Sequence, residues 1–273
     1  MSVSAQDFDV IRQLLRRHSA IVLDSGKEYL VETRLTPLVK SLHLDSIAEL
    51  VKVLRSRPDN GLSMQVVEAM VISESSFFRD HHPFEALRKV VIPGLLDRRR
   101  EERRLNIWCA ASGHGQEPYS VVLLLREHFA HLPGWKISFL ASDVSSQALA
   151  RAREGRYNQI EINRGLPASL LVKYFEQHGT DWQLKSDLRG MVNFQLINLA
   201  MPWPVLPRMD LVLLRNVMIY FDVETKKEIL TRLTHLLRPD GYLLLGGAET
   251  TFSLHNSYRR VESLKSGFYQ LIG

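Results

Sequence analysis

Three short polar stretches in this 273-residue chain each follow an apolar run, and each could hold a small molecule. The first is Gly113-His114-Gly115, which comes after Leu105 to Ala110 and is followed by Gln116, Glu117 and Pro118. Glycines at such a turn let the backbone come close to a ligand, and Pro118 suits a first helical turn because its missing N–H would have no partner there. The chemistry this implies is cofactor binding. The spacing does not complete the G-x-G-x-x-G pattern, which argues against a dinucleotide. The second stretch is Asp143, after Ile137 to Ala141, and the third is Arg215-Asn216, after Leu211 to Leu214. No Ser-His-Asp or Cys-His constellation is evident. The single cysteine, Cys109, lies inside an apolar run and reads as an inert buried residue. His114 has no second ligand nearby in sequence, so no metal centre is expected.

These positions need a scaffold that brings them to one rim. From about Leu105 onward, apolar runs alternate with helical patterns: strands at Leu105–Ala110, Ile137–Ala141, Leu211–Leu214, Tyr242–Leu245 and Gly267–Ile272, helices at Ser145–Arg153 and Val223–Leu237. Such alternation predicts a parallel, doubly wound α/β sheet, whose ligand sites lie at the carboxyl ends of its strands. Asp143, the glycine loop and Arg215-Asn216 all fall at such ends. Residues 155–197 interrupt the alternation. Trp182 to Lys185 and Met191 to Ile197 read as short strands there, predicting a small, partly antiparallel insertion. Residues 6–72 show only helical periodicity. Phe8, Ile11, Leu14 and Leu15 form one stripe, and Leu30, Leu35, Leu38, Val39 and Leu42 a second. Asp45 or Ser46 caps a third helix, ended by Pro58-Asp59-Asn60-Gly61, and Met64, Val67, Met70 and Val71 make a fourth.

Composition is that of an ordinary globular protein, 45% hydrophobic and 24% charged, with a net charge of +5. With one cysteine no internal disulfide is possible, and the first residues do not read as a signal peptide. A cytoplasmic protein without membrane insertion is expected. The segment Asp97 to Arg104, DRRREERR, reads as a solvated helix end, with a positive rim beside a site for acidic substrates as the sharper alternative.

At a further set of residues the chain resembles the chemotaxis receptor methyltransferases, the CheR family of S-adenosylmethionine-dependent protein-glutamate methyltransferases. The likeness spans nearly the whole chain. It rests on Ser73-Glu74-Ser75-Ser76-Phe77-Phe78-Arg79-Asp80, on Trp108-Cys109-Ala110-Ala111 leading to Gly115-Gln116-Glu117-Pro118-Tyr119-Ser120, and on Ala141-Ser142-Asp143. It continues through Tyr174-Phe175, Asn198-Leu199, Arg215 to Phe221 and Pro239-Asp240-Gly241-Tyr242. The resemblance implies a Rossmann-like class I methyltransferase sheet (76–273), an N-terminal all-helical domain for substrate recognition (1–75), and a small inserted β-subdomain (155–197).

Carried over position by position, it places Ser73, Ser75, Arg79, Glu117, Asp143, Asn198, Leu199, Arg215 and Asn216 around S-adenosylmethionine and its product S-adenosylhomocysteine. Asp143 would meet the ribose hydroxyls, Asn198-Leu199 the adenine side, and Arg215-Asn216 would lie beside the bound cofactor. Arg79 would orient a carboxylate and Tyr220 would stand near the transferred methyl. Ser73 stands where the family usually has asparagine, Ser75 where it has threonine, His114 where it has a small hydroxyl residue, and Leu213-Leu214 where it has Phe-Cys. The expected partners are cytoplasmic helices of methyl-accepting chemotaxis receptors, met by a monomer, with no nucleic acid. Arg12, Arg16 and Arg17, or Lys52 and Arg55, could face an acidic receptor helix, and a tether loop would lie at His178-Gly179-Thr180. The competing readings are a methyltransferase-like module that docks without turnover and a nucleic-acid methyltransferase, which the small charge excess disfavours.

Overall fold

The computed structural model describes residues 3–56, 61–73, 75–129 and 132–272. Four helices come first: α1 (Ala5–Ser19), α2 (Glu28–Ser41), α3 (Ile47–Ser56) and α4 (Leu62–Met70). Ser4 caps α1, its hydroxyl accepting from Asp7 N at 3.1 Å. At α3 the cap is Ser46, which accepts from Glu49 N at 3.2 Å while the Glu49 carboxylate reaches back to Asp45 N at 2.7 Å. Phe8, Ile11 and Leu15 pack on Val31 and Leu35 of α2, Leu50 of α3 and Val66 of α4, a core of their own. Leu14 is only partly buried, so the stripe on α1 is narrower than predicted. Pro58, Asp59, Asn60 and Glu74 lie outside the described residues.

The remaining elements are α5 (His82–Ala86), a π-helical turn (Leu87–Val91), α6 (Ile92–Arg98), β1 (Arg104–Ala110), α7 (Gln116–His128), β2 (Lys136–Asp143) and α8 (Ser146–Glu154). They continue with β3 (Arg156–Asn158), α9 (Gln159–Asn163), α10 (Ala168–Tyr174), β4 (Phe175–His178), β5 (Asp181–Leu184), α11 (Ser186–Arg189) and β6 (Val192–Leu196). The last are β7 (Met209–Leu214), α12 (Val223–Leu236), β8 (Leu237–Leu245), β9 (Tyr258–Arg260) and β10 (Phe268–Leu271). The main sheet has the order β6-β2-β1-β7-β8-β10-β9. Its five strands from β6 to β8 pair in parallel. Both faces of β1 and β7 are covered, which is why Ile107 to Ala110 and Leu211 to Leu214 are apolar without a break.

Two expectations about this sheet need correction. β10 runs antiparallel to both β8 and β9. Only a single turn, Glu262–Leu264, separates β9 from β10, too short for the crossover that parallel pairing requires. The strand within Met191 to Ile197 does not belong to the insertion. It is β6, the edge strand of the main sheet, paired in register with β2 from Phe139–Val192 to Asp143–Leu196. Its alternation of buried Val192 and Phe194 with exposed Asn193 suits an edge position. The separate antiparallel sheet is β3-β5-β4, with β4 and β5 joined by a two-residue turn in which Gly179 has φ +63°.

The helical unit is fastened to the carboxyl-terminal rim of the main sheet. Ile21 bridges to Phe221, Val22 N donates to Tyr220 O at 2.9 Å, and Ser146 N donates to Glu68 at 2.5 Å. Phe77, in the connection between the two parts, is 1% exposed and packs edge-on against Tyr157 (5.0 Å) and Phe175 (5.8 Å).

Candidate cofactor site

Strand β1 neighbours β2 on one side and β7 on the other, so the chain's order reverses between β1 and β7. Ligands in open α/β sheets bind at that switch, beyond the carboxyl ends of the strands. A cleft of about 840 Å³ opens there, walled by the loops after β1, β2, β6 and β7, residues 71–73 and 75–81, and the helical unit. Ser73, Ser75, Arg79, Glu117, Asp143, Asn198, Leu199, Arg215, Asn216 and Tyr220 all line it.

The glycine loop forms one wall, and its two glycines serve different ends. At Gly113 (φ +54°) a Cβ would lie 2.5 Å from the carbonyl oxygen of Ser73, so only glycine lets the connection run this close. At Gly115 (φ +93°) a Cβ would press on Ala152, Tyr119 and Tyr157, each at 3.1 Å. Gly113 N donates to Asp143 Oδ2 at 2.8 Å and Ser145 N to Asp143 Oδ1 at 3.0 Å. Burial pushes the Asp143 carboxyl above its usual range, with the backbone N–H groups of Ser145, Gly113 and Val144 acting in the opposite direction. Each carboxylate oxygen has a second lone pair to offer the cleft. His114 points its carbonyl at the Tyr157 hydroxyl (2.8 Å) and its ring Nδ1 lies 3.2 Å from Arg151.

Beneath this wall lies a buried ion cluster. The Arg215 side chain, 1% exposed, pairs with Glu117 through Nη1 and with Asp80 through Nη2 at 2.7 Å. Nη2 also donates to the carbonyl oxygen of Arg79 at 3.1 Å, while Nε is buried without a partner among the described residues. The second Glu117 oxygen accepts from Cys109 Sγ at 3.4 Å, and burial, with that carboxylate beside it, pushes the thiol well up. Cys109 is inert for that reason.

Arg215 braces a turn that the chain would not adopt unaided. Phe78, Asp80 and His81 all have positive φ, at +47°, +69° and +46°. The Ser120 hydroxyl accepts from Phe78 N at 2.9 Å and anchors the turn's other end. This strained turn presents Arg79, whose guanidinium has no hydrogen-bond or ion-pair partner among the described residues and lines the cleft. The Tyr220 hydroxyl is likewise without a partner among the described residues, and its backbone is held by Val22.

Two family models match the chain: "CheR methyltransferase, SAM binding domain" over residues 73–266, and "CheR methyltransferase, all-alpha domain" over residues 6–70. The chain belongs to the CheR methyltransferase family. It is 37% identical over 274 residues to the chemotaxis protein methyltransferase Cher2 of Pseudomonas putida, covering 99% of each chain. It is 37% identical over 266 residues to chemotaxis protein methyltransferase 1 of Pseudomonas aeruginosa, covering 96% of each. Identity to a chemotaxis protein methyltransferase of Vibrio parahaemolyticus is 32% over 274 residues, 99% of this chain and 98% of the relative. This CheR methyltransferase is thus an enzyme that uses S-adenosylmethionine.

The residues present fit that cofactor. Asp143 has acceptor capacity to spare for a ribose diol, and Arg79 has an uncommitted fork of donors for a carboxylate. Other expected contacts are already engaged within the protein. The Asn198 amide donates to His18 O at 2.6 Å and accepts from Ala200 N at 3.0 Å, so it ties the end of α1 to the rim. Glu117 and Arg215 hold one another. Three residues that the sequence did not single out for the site support it: Asp80, Ser120 and Glu249. Asp80 and Ser120 sit inside motifs already noted. Glu249 carries no local signal beyond following a strand.

The arginine-rich segment 97–104 proves to be neither solvated throughout nor a rim of the cleft. Arg99, 5% exposed, is buried against Asp210 and Asp240 at the amino-terminal end of the sheet. Of the candidate basic faces, Arg12 pairs with Asp9 (3.8 Å) and Arg16 with Asp222 (3.4 Å), whereas Lys52 and Arg55 are exposed on α3. No described helix is long and apolar enough to cross a membrane.

Proposed function

We propose that this CheR methyltransferase esterifies glutamate side chains on the cytoplasmic helices of methyl-accepting chemotaxis receptors, working in the cytoplasm as a monomer during sensory adaptation. One observation carries the site assignment: a single cleft holds Asp143 with lone pairs to spare and, on another wall, the unpartnered guanidinium of Arg79. Residues 1–75 would select the receptor and 76–273 would bind the cofactor, with the β3-β5-β4 sheet as an inserted element.

S-adenosylmethionine supplies, when bound, a methyl group on a positively charged sulfonium. A glutamate with a pKa of about 4.3 is already an anion at neutral pH, so the chain need supply no general base. Its task is orientation, with the carboxylate oxygen held roughly 3–3.5 Å from the methyl carbon and in line with it. Asp143 accepts from the ribose hydroxyls, and Leu199 offers an apolar wall beside Asn198 on the adenine side. The Ser73 and Ser75 hydroxyls, which have no partner among the described residues, add donors near the glycine loop. Arg79 orients a carboxylate, and the Tyr220 hydroxyl stands at the reacting end. Glu117 and Arg215 keep the floor rigid by pairing with each other, and Asn216 closes the wall between Arg215 and the Tyr220 turn. A water-poor cleft favours the step, because both charges disappear as the methyl moves.

The test is transfer of radiolabelled methyl from S-adenosylmethionine to a receptor cytoplasmic fragment. Alkali-labile label on glutamate is expected in the wild type, with at least a tenfold loss in Arg79→Ala, roughly the value of a charge-assisted hydrogen bond. A chain that binds S-adenosylhomocysteine in calorimetry yet labels no receptor would leave a docking module instead.

A further inference from the structure

The loop after β8 holds a carboxylate that the reaction above does not use. Glu249, 8% exposed, accepts four backbone hydrogen bonds. Asn216 N (2.8 Å) and Gly246 N (2.7 Å) donate to Oε2, and Val217 N (2.9 Å) and Met218 N (2.8 Å) donate to Oε1. Three consecutive N–H groups turned toward one point form an anion-binding nest. Asn216 makes the nest possible by adopting a left-handed conformation, φ +58°. Gly246 allows the carboxylate in, since a Cβ there would stand 2.7 Å from Glu249 Oε2 and 2.9 Å from Asn216 N.

The nest is part of the cleft wall. Asn216 lines the cleft, and the turn that follows, with Tyr220 N donating to Val217 O at 3.1 Å, carries Tyr220. Glu249 therefore joins the ends of β7 and β8 through the backbone that sets where both side chains point.

We propose that Glu249 is a positioning residue for methyl transfer, an internal anion that fixes Asn216 and Tyr220 from behind; this rests on the cleft reading above. The carboxylate acts through peptide N–H groups, so its function should be separable from its covalent attachment. In Glu249→Ala an empty nest is left, open to a small carboxylate from solution. Turnover on a receptor fragment should fall on the order of 10- to 100-fold, and tens-of-millimolar formate should restore much of it, whereas chloride at equal ionic strength should not. In Glu249→Gln the amide still fills the nest and aims an NH₂ group at N–H donors, so turnover should fall and formate should not help. S-adenosylhomocysteine affinity, measured in parallel by calorimetry, should change less than kcat in Glu249→Gln. Normal turnover in both variants overturns the proposal. So does a loss in Glu249→Ala that formate leaves untouched, or, should that variant not fold, a loss in Glu249→Gln no larger than its drop in thermal midpoint accounts for. A wild-type chain that binds no S-adenosylhomocysteine would overturn the cleft reading itself, and this assignment with it.

Discussion

Two buried arginine clusters sit at opposite ends of β7, and they differ in what lies beside them. At the amino-terminal end, Arg99 donates to Asp210 from Nε (2.7 Å) and to Asp240 from Nη1 (2.8 Å) and Nη2 (2.5 Å). Asp210 also accepts from Asn106 N at 2.8 Å, and Arg238 lies 3.4 Å away. Every nitrogen of Arg99 is used, while Arg238 Nε is buried without a hydrogen-bond partner among the described residues and Asp240 is 39% exposed. At the carboxyl-terminal end, Arg215 serves Glu117, Asp80 and a carbonyl oxygen, its Nε is likewise buried without a partner among the described residues, and its partner Asp80 is 51% exposed. The first cluster lies away from the cleft and belongs to the fold. The second lines the cleft through Asp80, Glu117 and Arg215 and belongs to it. Buried charge by itself does not mark a site; the end of the strand at which it lies does.

The comparison is most sharply broken at Arg99. Arg99→Met leaves Asp210 buried beside only Arg238 and should cost about 3 kcal/mol, the low end for a broken buried pair because Arg238 remains. Urea denaturation should show that loss, with S-adenosylhomocysteine affinity unchanged in the folded fraction. A stable variant with lost affinity would mean that the two ends are not independent. Gly113→Ala should do the reverse. The added methyl meets the Ser73 carbonyl, and left-handed backbone itself costs an alanine about 1–2 kcal/mol. Affinity should fall by roughly tenfold or more, with a stability loss below that of Arg99→Met, as Ser73 and residues 75–77 are pushed off the loop. Arg215→Lys keeps the charge but not the fork that reaches Glu117 and Asp80 together. A loss of about 1–2 kcal/mol, shared between stability and affinity, is expected. Unaltered binding there would remove Arg215 from the cleft's function.

Much of this arrangement was legible in the sequence because parallel strands buried on both faces read as nearly continuous apolar runs. The runs at 105–110, 137–141 and 211–214 announce themselves, and the polar residue ending each run then falls on the ligand-binding rim. What stayed hidden depends on contacts between distant parts of the chain. Arg99 is read as solvated until the fold brings Asp210 and Asp240 to it, 111 and 141 residues away. The Asn198 amide is read as facing ligand until His18, 180 residues earlier, is found accepting from it. Strand direction is equally silent, since β10 carries the same apolar pattern whichever way it runs. Glu249 was invisible for another reason: its partners are backbone N–H groups, which leave no side-chain pattern.

The smallest expected effect concerns acid, and it separates the two ends by the sign of a pKa shift. The Arg99 guanidinium holds the Asp240 carboxyl below its usual range, despite partial desolvation. Such a group contributes stability above the ordinary carboxylate value and loses it only as pH falls through the depressed one. Asp143 is shifted the other way by burial. It takes up its proton in the folded chain at a pH where an unfolded aspartate would still be ionised, so its protonation does not drive unfolding. It does convert one oxygen into a donor facing Gly113 N–H or Ser145 N–H, and it removes an acceptor for the ribose hydroxyls. On acidification, S-adenosylhomocysteine affinity should therefore decline by a few-fold while urea stability still holds its plateau, and the decline should vanish in Asp143→Asn. Calorimetry and denaturation across the same acidic range decide it. Affinity and stability falling together, with Asp143→Asn no different, would mean that the cleft rim of the sheet is no more sensitive to acid than its opposite end.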